Sequence, residues 1–278
     1  ALDKHTGRYV ARETEGISRR LWHAQWCSPS LGKAGGKTLV FLGGGDGIMY
    51  AFEALTAKPG ELAKSGKPEA LKAAWRYDCN PPNYRFRKGK EIPYYEGDKR
   101  KKWSTNKNDG KFVGPSQIIG TPVLHKNRIY VAIGQDPMHG RGKGMLHCID
   151  AAKTGDITKS GRIWTYDRLD RTMATVSIAG GLLYISDVAG QLHCLDAESG
   201  KLHWVYETGA ETWGGALLAD GKAYLATKKY LHVFAQGTKI KLLGKIRLGS
   251  AIYSTPVAAN GVLYVASQRE LWAAALKP

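Results

Sequence analysis

Residues 180–208 read GGLLYISDVAGQLHCLDAESGKLHWVYET. Three short segments in this stretch (182–186, 191–196 and 201–207) are rich in aliphatic, aromatic and β-branched residues. Each is bounded by Gly, Asp or Ser, which predicts three strands joined by tight turns. Much of the chain repeats this text. Second-strand copies are Ile129-Tyr130-Val131, Leu183-Tyr184-Ile185, Ala223-Tyr224-Leu225 and Leu263-Tyr264-Val265, with tyrosines 54, 40 and 40 residues apart. KTLVFL at 37–42 reads as an earlier copy, with Val40 in the tyrosine place. Third-strand copies start at Ile48, Met145, Gln191, Tyr230 and Glu270. Fourth strands share Trp-x-Tyr-acid at Trp75, Trp164 and Trp204, and first strands carry Thr-Pro-Val at Thr121 and Thr255. Proline suits a strand's first residues, where one ladder bond can be forgone.

A period near 40 residues with four strands per unit predicts an all-β chain, a β-propeller of four-stranded antiparallel blades. One blade cannot bury both faces, so neighbours must stack around an axis. About five blades are visible, starting near Trp26, Gly120, Ala174, Gly214 and Ser254, and the last stops after its third strand. Residues 1–278 thus read as a single propeller domain, or a fragment of one, with a basic insertion at 80–117. Residues 1–13 supply a third-strand remnant and a fourth strand, RYVARE. That strand either closes the last blade into a ring of about five, or belongs to a larger ring; the abrupt start inside a repeat favours the second.

Residues 194–204, CLDAESGKLHW, resemble the tryptophan-docking motif of quinoprotein-type (PQQ-repeat) propellers, roughly A-x-D-x-x-[TS]-G-K-x-x-W. ALDKHTGRYVA at 1–11 matches its first half, with Ala11 where Trp belongs. Residues 148–164 and 51–75 carry it with insertions, and the blade containing Phe234-Ala235-Gln236-Gly237 has lost both Asp and Trp. The motif's physical role is structural: Gly allows the turn, Asp caps it, and the Trp ring wedges against the next blade. The resemblance reaches both quinone-dependent alcohol dehydrogenases and a non-catalytic scaffold lipoprotein of outer-membrane assembly. It implies a periplasmic or secreted, bacterial protein.

Composition narrows the choice less. Hydrophobic residues make up 43% and charged residues 23%, ordinary for a globular chain. No apolar run is long enough to span a membrane. Residues 1–10 are polar and read as a turn rather than a secretory signal, as a trimmed chain would also show. A net charge of +17 favours acidic partners. The four cysteines form no CxxC or adjacent pair. Cys148 and Cys194 occupy the same place in two repeats, as small buried residues do, while a Cys27–Cys79 disulfide stays open. His147, His193 and His232 recur one blade apart, too far apart to share a metal, so they read as packing residues and no metal site is expected.

Propellers bind ligands where loops converge over the central channel. Trp26, Gln117, Arg171, Glu211, Trp213 and Tyr253 enter the innermost strands on that face, and Asp136 and His139 lie in an adjoining loop. Together they form the candidate ligand site, a mix that suits a sugar or a polyanion. The competing structural reading is that Trp26 and Trp213 seal the funnel between blades. Arg85, Arg87, Lys99, Arg100, Lys101 and Lys102 make the insertion a candidate polyanion contact, and an insertion this long is more often functional or flexible than neutral. Catalytic residues are not assigned. The favoured expectation is a non-catalytic binding or scaffold propeller without cofactor, meeting a protein partner or an acidic polymer or glycan; nucleic acid ranks last. The alternative implied by the resemblance is a PQQ- and calcium-dependent dehydrogenase. Catalytic relatives, however, use adjacent disulfide-bonded cysteines, an acid–amide calcium set and a catalytic Asp.

Overall fold

The computed structural model describes residues 1–21, 24–81, 86–87, 89–91, 95–96, 99–100, 116–134 and 143–275. Blade one comprises Ser30–Ala34, Lys37–Gly43, Ile48–Glu53 and Ala73–Asp78. Blade two comprises Val123–His125, Arg128–Ile133, Met145–Asp150 and Arg162–Tyr166. Blade three comprises Ser177–Ala179, Leu182–Ser186, Gln191–Asp196 and Leu202–Glu207, and blade four Ala216–Ala219, Lys222–Ala226, Leu231–Ala235 and Leu242–Ile246. Blade five has three described strands, Val257–Ala259, Val262–Ala266 and Leu271–Ala275. Each blade is an antiparallel meander in chain order. First strands of blades one and two, three and four, and four and five lie against each other, so they form the inner side.

Register corrects one sequence assignment. Tyr130 pairs with Cys148 and Tyr184 with Cys194, and the matching pair in blade one is Phe41 with Ala51. Phe41, not Val40, therefore holds the tyrosine place. It is fully buried at 0% exposure, whereas Val40 faces the other side of the pleat.

Three of the joints between blades are built around a docked tryptophan. Trp75 Nε1 donates to the Ala151 carbonyl (3.0 Å) and Trp204 Nε1 to the Gly237 carbonyl (3.0 Å), each in the following blade. The Trp164 ring lies on Gly200, whose φ of +71° suits glycine; an added Cβ would stand 2.6 Å from the ring. Asp196 caps that turn by accepting from Ser199 N (2.8 Å), and Asp3 accepts from Thr6 N in the same way (2.8 Å). On the other side of each joint a fourth-strand tyrosine meets a third-strand histidine of the next blade. Tyr166 Oη lies 2.9 Å from His193 Nδ1, Tyr77 Oη 3.4 Å from His147 Nδ1, and Tyr206 packs edge-on against His232. The three histidines lie in separate blades, as the spacing predicts, and His193 Nε2 also lies 3.1 Å from Asp187 Oδ2.

The N-terminal strand does not close blade five. Ala11–Glu13 pairs in parallel with Glu69–Leu71, an insertion between the third and fourth strands of blade one. Gly155–Asp156 of blade two adds to Ala73–Asp78 in the same way. Insertions of one blade thus cover the outer edge of the unit before it, which protects unpaired strand groups. All four cysteines are buried free thiols, so Cys27 and Cys79 are not bonded. Burial pushes the Cys148 and Cys194 thiols up to about 11. Among the described residues no helix is long and apolar enough to cross a membrane.

Candidate functional site

Loops that link fourth to first strands meet the turns between second and third strands on one face. A repeated backbone bond fixes them: Val188 N donates to Arg171 O, Lys228 N to Glu211 O and Gln268 N to Ala251 O, at 2.9, 3.0 and 2.9 Å. Arg171, Glu211 and Ala251 are therefore equivalent positions, with Gln117 matching them in sequence. Two residues further along each loop stand Met173, Trp213 and Tyr253, matched by Trp26. The sequence-predicted residues thus fall on one face, in two rows. Asp136 and His139 lie outside the described residues, as do Arg85, Lys101 and Lys102.

Only part of the predicted set comes together. Trp213 and Tyr253 pack at 4.8 Å between ring centroids, and Lys228 Nζ sits 5.5 Å from each ring. Glu211 binds both Lys228 and the Trp213 indole N–H. Burial pushes the Glu211 carboxyl up, but the bonds from Lys228 and Trp213 outweigh it and hold the group below the usual glutamate range; Arg171 adds its charge. Gln117 is buried two blades away, bridged to Gly134, and its Oε1 finds no partner among the described residues. Trp26 and Trp213 are 54% and 37% exposed, so neither is a buried plug.

Sequence reasoning missed two features. In the GGGDG turn of blade one, Asp46 is fully buried. It accepts from Tyr50 Oη (2.7 Å) and Arg20 Nε (3.0 Å), while Arg20 also donates to Tyr50 Oη (2.6 Å). Burial raises the Asp46 carboxyl against these bonds and raises the Tyr50 phenol. Beside this network a cavity of about 710 Å³ runs between Arg20, Arg76 and Asp78 and Asp156, Thr158, Lys159 and Ser160 of blade two. Arg76 pairs with Asp156 at 3.1 Å in its wall. The second feature is the base of the basic insertion, where Asn80 accepts from Ser116 N (2.9 Å) and donates to Asp46 O (3.0 Å). Within the insertion, Phe86–Arg87 pairs with Lys90–Glu91, and Tyr95–Glu96 with Lys99–Arg100.

Residues 142–242 match the family described as outer membrane protein assembly factor BamB. The repeats in that span match the PQQ type, and the fold of the chain is a multi-blade β-propeller. No curated protein sequence matches the chain. Among solved structures, BamB from Moraxella catarrhalis is similar over 94% of this chain and 59% of its own, at TM-score 0.57 and 12% identity. The C-terminal WD40 domain of Sif2 is similar over 84% of this chain and 54% of its own, at TM-score 0.50 and 12% identity. This chain thus spans little more than half the length of either structure. A quinohemoprotein alcohol dehydrogenase from Pseudomonas putida HK5 aligns with 52% of this chain and 28% of its own, at TM-score 0.40 and 15% identity.

PQQ-type repeats raise the question of a quinone and its calcium. The cysteines of this propeller are scattered through its core rather than adjacent. Among the described residues, no three His, Cys, Asp or Glu side chains converge as a metal set. The buried Asp46 is committed to Arg20 and Tyr50, and the residues that line the cavity beside it offer no aromatic stacking surface. The cysteines and the Asp46 cavity do not fit the group.

Proposed function

We propose that this propeller is a non-catalytic, extracytoplasmic binding or scaffold module that meets a protein partner through its loop face. The observation that carries the reading is the half-exposed ridge of Trp213 and Tyr253 with Lys228 and Glu211, assembled by loops of successive blades. Aromatic rings set among charges at a solvent-facing rim are the composition of partner-contact surfaces. The match to the assembly factor BamB over residues 142–242 supports a role of this type and an extracytoplasmic location.

The reading is tested by titrating the chain with pyrroloquinoline quinone plus calcium, followed by absorbance and calorimetry. No saturable signal is expected. One-to-one binding would overturn the scaffold reading and turn attention to an alcohol substrate.

A further inference from the structure

The joint between blades four and five lacks the docking residues. By register, Gly244 stands where Trp204 stands one blade earlier, and Ile246 where Tyr206 stands. On the loop face above this joint lies a cleft of about 360 Å³. Lys228, Lys229 and Tyr230 line it from the turn of blade four, and Arg247, Gly249 and Ser250 from the loop leading to blade five. Glu211 neutralises Lys228. Lys229 and Arg247 are exposed, and no described acid pairs with either. Lys245 adds a further cation, held over the Tyr230 ring at 4.2 Å. Glu270 is the acid at the rim, 3.8 Å from where a side chain on Gly249 would begin.

The aromatic ridge continues from this cleft through Lys228, which lines the cleft and sits over both rings. Basic and apolar recognition are thus side by side. Glu211 beside Lys228 and Glu270 near Gly249 interrupt the positive charge, which suits a short acidic segment better than a long polyanion. Carboxylates on a short segment match it.

We propose that the cleft between blades four and five binds an acidic segment of a partner polypeptide. Its carboxylates meet Lys229 and Arg247, and a neighbouring apolar side chain rests on Trp213 and Tyr253. This rests on the reading that the loop face docks a protein partner.

The probe is a fluorescein-labelled peptide with glutamates on both sides of one leucine, titrated into the whole chain by anisotropy beside its glutamine counterpart. Saturable binding is expected for the glutamate peptide alone, weakening with salt. Lys229→Glu combined with Arg247→Glu reduces affinity about tenfold or more, since charge reversal at a contact repels the ligand. Trp213→Ala reduces it several-fold, and Lys64→Glu with Lys67→Glu, the same charge change on a distant exposed segment, leaves it intact. Circular dichroism checks that each variant is folded.

Equal losses in the two double variants would reduce the effect to net charge and overturn the proposal, as would unchanged binding in the first. A sulfated oligosaccharide that binds where the peptide does not would assign the cleft to glycans and overturn it too. Saturable quinone binding sinks the scaffold reading itself, whereas peptide failure without quinone binding removes only this site.

Discussion

Two joints of this propeller, one blade apart, are built from different materials. Between blades three and four, Trp204 is bracketed by Tyr184 and Phe234 at 5.8 and 6.0 Å and anchored to the Gly237 carbonyl. Between blades four and five the tryptophan place is Gly244, and a cavity of about 280 Å³ opens there. Tyr224 and Ala274, the equivalents of Tyr184 and Phe234, line it. Leu242, Leu243 and Ile246 stay exposed along the fourth strand of blade four, and Trp272 of blade five, in the place of His232, is exposed as well. A propeller therefore need not be uniformly interlocked. Where the wedge is missing, apolar surface and charge remain available for something else.

The largest expected effect comes from removing a wedge. Trp75 is 1% exposed and hydrogen-bonded across its joint. Trp75→Ala should cost about 4 kcal/mol, typical of deleting a large buried aromatic, read by urea denaturation. Truncating Trp272 in the undocked region should cost well under half as much; equal losses would break the comparison.

Acid should act on the same joints. Burial holds His147 and His232 down at about 4, against an ordinary value of 6.5. The unfolded chain takes up protons that the fold refuses, so their contribution is complete above pH 6.5 and is lost as pH falls toward 4. The melting midpoint should drop through that window, and His147→Gln should flatten the slope. A midpoint independent of pH there would show that these rings are not held neutral.

Filling the open joint should have a smaller effect of opposite sign. Gly244→Trp should stabilise by about 1 kcal/mol, as cavity-filling substitutions commonly do, seen as a raised melting temperature. The smallest change is Tyr166→Phe, which removes the hydroxyl facing His193 and should cost about 1 kcal/mol or less. No loss at all would reduce that pair to ring packing.

The blades were legible because strand text, turn glycines and the Trp-x-Tyr-acid ending repeat together, each reinforcing the others. Val40 was misplaced by one residue because KTLVFL is apolar on both faces, so its pattern sets no register; the pairing of Phe41 with Ala51 does. The tyrosine and histidine columns were both visible, but their contact joins different blades, and repeat alignment says nothing about which column meets which. The Arg20–Tyr50–Asp46 network was hidden for a similar reason, since Arg20 lies in a segment that repeats nowhere. At the candidate site, rows of equivalent loop residues were readable from topology. Lys228 and Lys229 were not, because a Thr-Lys-Lys-Tyr turn looks like any solvated turn until Arg247 is seen across the cleft.

Hydrogen–deuterium exchange, with and without the glutamate peptide, tests the contrast between joints most directly. Strands Gln191–Asp196 and Met145–Asp150 should exchange slowly under both conditions. Leu242–Ile246 and the loop at 247–253 should exchange quickly alone and gain protection when the peptide binds. Uniform protection across all joints, or a gain confined to other blades, would contradict the account.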